Sequence, residues 1–220
     1  MTFDMTKLKG AIFDADGTML DSMHIWQNLA GDYLVSRGIV PQADLNEVLL
    51  GMGGHEIPEY FKLAYGLDET IAEIQLGFHK LLENFYFHHA PVKKGVIAVL
   101  DALRERGIKM CVATATDRQL IEPALRRCGL LDYFGRIFTC SEEQTSKTSP
   151  DIYIRAASYL GTRIGETLVF EDALYAVESA NGAGFPVVGV YDLYSAHNTD
   201  RIKALSDYYC ISMDEFLPML

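Results

Sequence analysis

The run Ala11-Ile12-Phe13-Asp14-Ala15-Asp16-Gly17-Thr18 constrains this chain more than any other stretch. A short apolar segment stops at two carboxylates, and a glycine and a threonine follow. The pattern predicts a buried strand with both aspartates where it leaves the sheet. Side chains alternate along extended backbone, so Asp14 and Asp16 point the same way and Ala15 points away. Two like charges that close are costly unless a cation or a shared proton relieves them. The site therefore calls for a metal ion, a carboxyl held neutral, or both. In an open α/β sheet, strand ends of this kind are where ligands bind.

Two plainer readings compete. An Asx turn at a strand end accounts for many Asp-Gly pairs. An EF-hand calcium loop also carries Asp-x-Asp-Gly. It needs its glycine sixth, which would put Ile12 at the first ligand position and Met23 at the twelfth, both apolar, so the calcium loop fails.

The other strand-like runs are Ile108–Ala113, Ile137–Cys140, Thr167–Phe170 and Pro186–Val190. Helical periodicity lies between them. Val96, Val99, Leu100 and Leu103 share a face, as do Ile121, Ala124, Leu125 and Cys128, then Tyr153, Ala156, Ala157 and Leu160. Gly107, Gly129 and Gly161 each stand where a left-handed residue can end a helix. Strand and helix in alternation imply a parallel sheet covered on both faces. The segment from about Asp21 to Pro91 breaks the rhythm with helical patterns near 56–65 and 69–87 and no convincing strand. Trp26, Leu29, Ala30, Tyr33 and Leu34 form one apolar stripe within it. A plain crossover needs one helix, so this insert reads as a lid above the Asp14/Asp16 site, the alternative being a decoration that enlarges the core. The segment from Asp192 onward reads as a strand and helices completing the sheet.

Apolar residues make up 49% of the 220 positions, enough for a sizeable core. Neither a bilayer-length apolar run nor a signal peptide is evident. Cys111, Cys128, Cys140 and Cys210 show no Cys-x-x-Cys spacing and read as core thiols of an intracellular, cytoplasmic protein. The net charge of −11 argues against nucleic acid or an anionic membrane as partner. An anionic ligand would then need strong local positive charge.

Three further stations follow strands or open helices. Thr114-Ala115-Thr116-Asp117 offers a hydroxyl and backbone N–H groups that can hold a phosphate oxygen, although Thr116 or Asp117 can also simply cap the next helix. In Ser146-Lys147-Thr148-Ser149-Pro150-Asp151, Ser149 is expected to cap a helix and Pro150 to take its first position, with the Lys147 ammonium in reach of the site. Glu171-Asp172 ends another buried strand in hard oxygen ligands of the type magnesium prefers.

With Asp14-Ala15-Asp16-Gly17-Thr18, Thr114, Lys147 and Glu171-Asp172 in this order, the chain resembles the haloacid dehalogenase superfamily, and its helical insert resembles the cap of the β-phosphoglucomutase-like branch. The resemblance implies a Rossmann-like parallel sheet of order 3-2-1-4-5, with a catalytic core over 1–20 plus 92–220 and a helical cap over 21–91. It implies a Mg²⁺-dependent phosphatase of a small phosphorylated metabolite. Asp14 would attack phosphorus to give an aspartyl-phosphate, and Asp16 would act as general acid and then base. Thr114, Ala115 and Lys147 would hold the phosphoryl oxygens. Mg²⁺ would be held by Asp14, the Asp16 carbonyl and Asp172, with Glu171 as an inner or outer carboxylate. The chain is expected to act as a monomer. Asp16 also favours phosphate chemistry over dehalogenation, because an alkoxide leaving group needs a proton and a halide does not.

The resemblance has departures. Trp26 stands where β-phosphoglucomutases carry a cap histidine, and is read either as an apolar wall over the leaving group or as cap core. The loop Leu49-Leu50-Gly51-Met52-Gly53-Gly54 has Leu50 and Gly54 where those mutases place a lysine and an arginine. An apolar cap loop cannot pair with a second phosphate, which argues for a phosphatase over a mutase. Gly51 is a candidate substrate contact on this loop. Phosphonate hydrolysis through a Schiff-base lysine would fall to Lys62 or Lys80. Thr148 and Ala173 replace a usual proline and serine, with possible loss of support around the site. His24 is read either as facing the site or, more simply, as a surface histidine near a hinge, and His88-His89 lacks a third metal ligand.

Overall fold

The computed structural model describes residues 3–53 and 56–220. They form two compact units, one comprising Met1–Ser22 and Ala90–Leu220, the other Met23–His89.

The first unit is built on a parallel sheet. Its strands are β1 (Gly10–Phe13), β2 (Lys109–Thr114), β3 (Ile137–Thr139), β4 (Thr167–Glu171), β5 (Val187–Val190) and β6 (Tyr208–Cys210), in the order β3-β2-β1-β4-β5-β6. The order is the expected one with a further strand, β6, added at the β5 edge. Every residue of β1 is buried. Phe13 pairs with Val112 on one side and Phe170 on the other, so the strand is central and its carboxyl end lies between those of β2 and β4. Phe13 and Phe170 stack with ring centroids 4.2 Å apart, fixing the register beside the site. Four helices return the chain between strands or pack beyond them: α5 (Val96–Glu105), α6 (Arg118–Arg127), α7 (Asp151–Leu160) and α8 (Leu174–Gly182), with α9 (Thr199–Leu205) before β6. The predicted apolar faces of α5 and α7 are buried, and Gly107, Gly129 and Gly161 have the left-handed backbone that stops their helices.

One boundary differs from expectation. Helix α7 begins at Asp151 and not at Pro150, and Ser149 Oγ accepts only a long hydrogen bond from Asp151 N at 3.4 Å. Ser149 is committed instead to a turn, its N–H donating to Ser146 O at 3.1 Å. Lys147 lies within that turn, with 4% of its surface exposed.

The second unit contains α1 (Met23–Ser36), α2 (Leu45–Leu49), α3 (Glu56–Tyr65) and α4 (Ile71–His88). Helix α4 starts two residues later than its apolar pattern suggests, because Thr70 caps it. Thr70 Oγ1 accepts from Glu73 N while the Glu73 carboxylate accepts from Thr70 N. Tyr33, Leu34, Leu45, Phe61 and Ile74 form the core. A Cβ at Gly77 would lie 2.2 Å from the Tyr33 ring, so glycine there lets α1 and α4 approach. Trp26 is outside this core and 39% exposed, with Nε1 donating to Tyr86 OH at 2.9 Å. The apolar stripe of α1 is therefore split. Its C-terminal half, Tyr33 and Leu34, is buried, and Trp26 satisfies its indole at the surface.

Candidate active site

The carboxyl ends of β1, β2 and β4 bring distant residues together. Asp14, Asp16, Thr114, Lys147, Glu171 and Asp172 are all buried. Lys147 Nζ donates to Asp14 Oδ1, and to Glu171 Oε1 at 2.6 Å. One ammonium thus bridges the first and last of the sequence motifs. Tyr153 OH donates to the same Glu171 oxygen at 2.7 Å. Carboxylate oxygens of Asp14, Glu171 and Asp172 lie within 4.8 Å of one another. Asp16, expected to offer a metal its carbonyl, has its carboxylate elsewhere. Ser22 Oγ donates to Oδ1 at 2.5 Å and Thr116 Oγ1 to Oδ2 at 2.6 Å.

Thr114 ends β2 with its hydroxyl accepting from Thr116 N at 3.1 Å. That leaves its own O–H to donate. Ala115, next in line, is exposed. Asp117 takes the N-cap position of α6, but its side chain makes no capping hydrogen bond; its Oδ1 accepts from Ser141 Oγ at 2.6 Å.

The electrostatics reflect three acids and one base taken out of water. Burial raises the Asp14 carboxyl well above the usual carboxylate range, and the Glu171 charge adds to this against the opposing pull of Lys147. Asp172 is raised to about 7, again by burial first and then by Glu171 and Asp192. Burial would lower Lys147, but the Asp14 and Glu171 charges outweigh it and the ammonium is held above its ordinary value. Burial and Glu171 likewise raise Tyr153, which stays a donor. Among the described residues Glu171 Oε2 is buried without a hydrogen-bond partner. An orphaned oxygen on one of three clustered carboxylates, next to acids that resist ionising, fits the donor set of a divalent cation.

Asp172 is held by Thr18 Oγ1 at 3.2 Å and Ser195 Oγ at 3.3 Å. The support in doubt at Ala173 thus comes from two other hydroxyls. Gly17, at φ +81°, sits so close that a Cβ there would be 2.5 Å from Asp172 Oδ2. Lys93 Nζ donates to Gly17 O, to Tyr191 O at 2.7 Å and to Asp192 Oδ2 at 3.1 Å, tying the loops after β1 and β5 together. Sequence reasoning missed Ser22, Lys93, Ser195 and the hydroxyl of Tyr153. Only Tyr153 carried a signal, a polar tip on the apolar face of α7.

In the helical unit, Trp26 and Gly51 line one cleft of about 500 Å³ with Leu29, Leu49, Leu50 and Phe78. Leu50 is 86% exposed, and Gly54 lies outside the described residues. Lys62 Nζ is committed to the backbone carbonyls of Leu67 and Glu69, and Lys80 is exposed. Neither has the desolvated, uncommitted amine that Schiff-base chemistry uses. His24 lies edge-on to Phe85. No helix among the described residues is long and apolar enough to cross a membrane.

Comparison with known proteins agrees with this geometry. The family model for haloacid dehalogenase-like hydrolases matches residues 8–184. A phosphorylated carbohydrates phosphatase from Thermotoga maritima is 24% identical over 206 residues, covering 94% of each chain. A phosphoglycolate phosphatase from Agrobacterium fabrum is 28% identical over 82% of this chain and 79% of that one. The crystal structure of CbbY from Rhodobacter sphaeroides in complex with phosphate shares the fold, with a TM-score of 0.74 and 22% identity over 95% of this chain and 96% of that one. With the strand order, the buried acids and the bridging lysine, the match over residues 8–184 shows that the chain belongs to the haloacid dehalogenase-like hydrolases.

Proposed function

We propose that this protein is a Mg²⁺-dependent phosphatase that releases phosphate from a small phosphorylated metabolite through an aspartyl-phosphate. The observation that carries the reading is the single ammonium of Lys147 shared by Asp14 and Glu171 within a three-carboxylate cluster. With a divalent cation offsetting the acids, the Lys147 ammonium beside Asp14 would pair with a phosphoryl dianion at the nucleophile.

In this reading Asp14 attacks phosphorus in line. Its carboxylate oxygen bonds to phosphorus as the bond to the leaving oxygen breaks. Asp16, held on both oxygens by Ser22 and Thr116, gives that oxygen a proton. It then takes a proton from the water that cleaves the aspartyl-phosphate. Lys147, the Thr114 hydroxyl and the Ala115 N–H hold the phosphoryl oxygens. Asp14, the Asp16 carbonyl, Glu171 and Asp172 would hold Mg²⁺. When bound, the cation offsets the clustered carboxylates and favours ionised Asp14.

The helical unit is assigned the selection of the leaving group, with Trp26 and Gly51 as its contacts. Apolar Leu50 on that loop supports a phosphatase over a sugar-phosphate mutase, since it cannot pair with a distal dianion. Two relatives are named for phosphorylated carbohydrates and for phosphoglycolate, so sugar phosphates and phosphorylated small acids head the substrate panel.

The test is phosphate release by purified protein with Mg²⁺ over a panel of sugar phosphates, phosphorylated small acids, polyol phosphates and nucleoside phosphates. Activity on at least one class is expected, lost in EDTA and reduced roughly 10³-fold or more in Asp14→Asn. Silence across the panel, or an Asp14→Asn variant with full activity, overturns the reading.

A further inference from the structure

We propose that Tyr153 is a positioning residue for the cation. Together with Lys147 it occupies one oxygen of Glu171 and leaves the other to the metal. The inference rests on the metal-site reading above and extends it to a residue outside the four motifs.

Both donors reach the same atom. Lys147 Nζ is 2.6 Å and Tyr153 OH 2.7 Å from Glu171 Oε1, while Oε2 is buried and has no partner among the described residues. A carboxylate offers about four lone-pair sites over its two oxygens, so two donors on one oxygen are not the default. The asymmetry has a cause in the packing. Tyr153 is fully buried on α7, and its ring stands edge-on to Phe185 with centroids 6.2 Å apart. The hydroxyl therefore approaches Glu171 from a fixed direction. Lys147 divides its ammonium between Glu171 and Asp14 and by itself fixes neither. With Tyr153 in place, Glu171 is anchored through Oε1 from two directions, and Oε2 is the oxygen left without a donor among the described residues. Residues that orient metal ligands in this way typically change metal affinity about 10- to 100-fold when removed.

Mn²⁺ serves as the probe, with the free ion followed by electron paramagnetic resonance. It is titrated into the wild-type protein and into Tyr153→Phe, Glu171→Gln and the double variant. Tyr153→Phe keeps the ring and its contact with Phe185. It is expected to raise the Mn²⁺ dissociation constant at least ~10-fold, and the double variant to bind no more weakly than Glu171→Gln alone. A smaller change, or effects of the two substitutions that add, overturns the role of Tyr153. Failure of the wild-type protein to bind Mn²⁺ overturns the metal-site reading itself. A crystal structure of the wild-type protein with Mn²⁺ gives an answer independent of any variant. Coordination through Glu171 Oε2 is expected, and coordination through Oε1 sinks the proposal.

Discussion

Thr116 Oγ1 donates to Asp16 Oδ2 at 2.6 Å, joining two residues 100 positions apart in the chain. The hydrogen bond ties the loop after β2 to the loop after β1 and orients the candidate acid. Thr116→Val removes this bond without removing the carboxyl. The rate on alkyl phosphates is expected to fall about 10-fold, and on aryl phosphates with good leaving groups hardly at all. Asp16→Asn is expected to lose ~10²- to 10⁴-fold on the alkyl substrates, as general acid catalysis would. Steady-state kinetics on a matched alkyl and aryl pair measures both. Equal losses on the two substrates would show that Thr116 supports the fold and not the acid.

The carboxylate cluster makes the metal-free protein pH-sensitive. The folded-state pKa of Asp172 is about 7, above its unfolded value. Protonation therefore favours the folded state. This contribution is complete below about pH 4 and disappears as pH rises to about 7. In EDTA, Asp172→Asn should melt higher than wild type at pH 8 and equal to it near pH 4. At about 1.4 kcal/mol per unit the difference is a few kcal/mol at most. Added Mg²⁺ should reverse the order at pH 8, because only the wild type keeps the ligand. Thermal melts at the two pH values, with and without Mg²⁺, check the sign.

Gly17 is constrained twice, by φ of +81° and by a would-be Cβ 2.5 Å from Asp172 Oδ2. Gly17→Ala is expected to destabilise the fold by roughly 1–3 kcal/mol through the backbone alone. It should also weaken Mn²⁺ binding by displacing Asp172. Chemical denaturation and a Mn²⁺ titration test the two effects separately.

Lys93 and Asp192 form an ion pair at 3.1 Å whose side chains are 16% and 4% exposed. Lys93→Met would leave Asp192 buried and without its cation, and would free the Gly17 carbonyl. A loss of ~3 kcal/mol is expected by urea denaturation. Lys93→Met/Asp192→Asn should recover part of it, and a double variant worse than the single one would contradict the pairing.

Much of this protein follows from local order in the sequence. Short apolar runs specify buried strands, and apolar spacing with terminal glycines specifies the helices of the first unit. Asp14, Asp16, Thr114, Lys147, Glu171 and Asp172 are legible because each stands at a strand end or beside a helix start, a property of neighbours in the chain. Tertiary structure alone decides which atoms meet. The hydroxyls of Ser22 and Ser195 look like any others in the sequence, and the partners of Thr116 and Tyr153 are not visible there either; all four are settled only when the chain folds and brings its segments together. Trp26 makes the same point from the other side: a helical stripe marks which residues share a face, and packing then determines how much of that face is covered. Periodicity is set by backbone geometry over a few residues, whereas a hydrogen bond across 100 residues depends on where every intervening element packs.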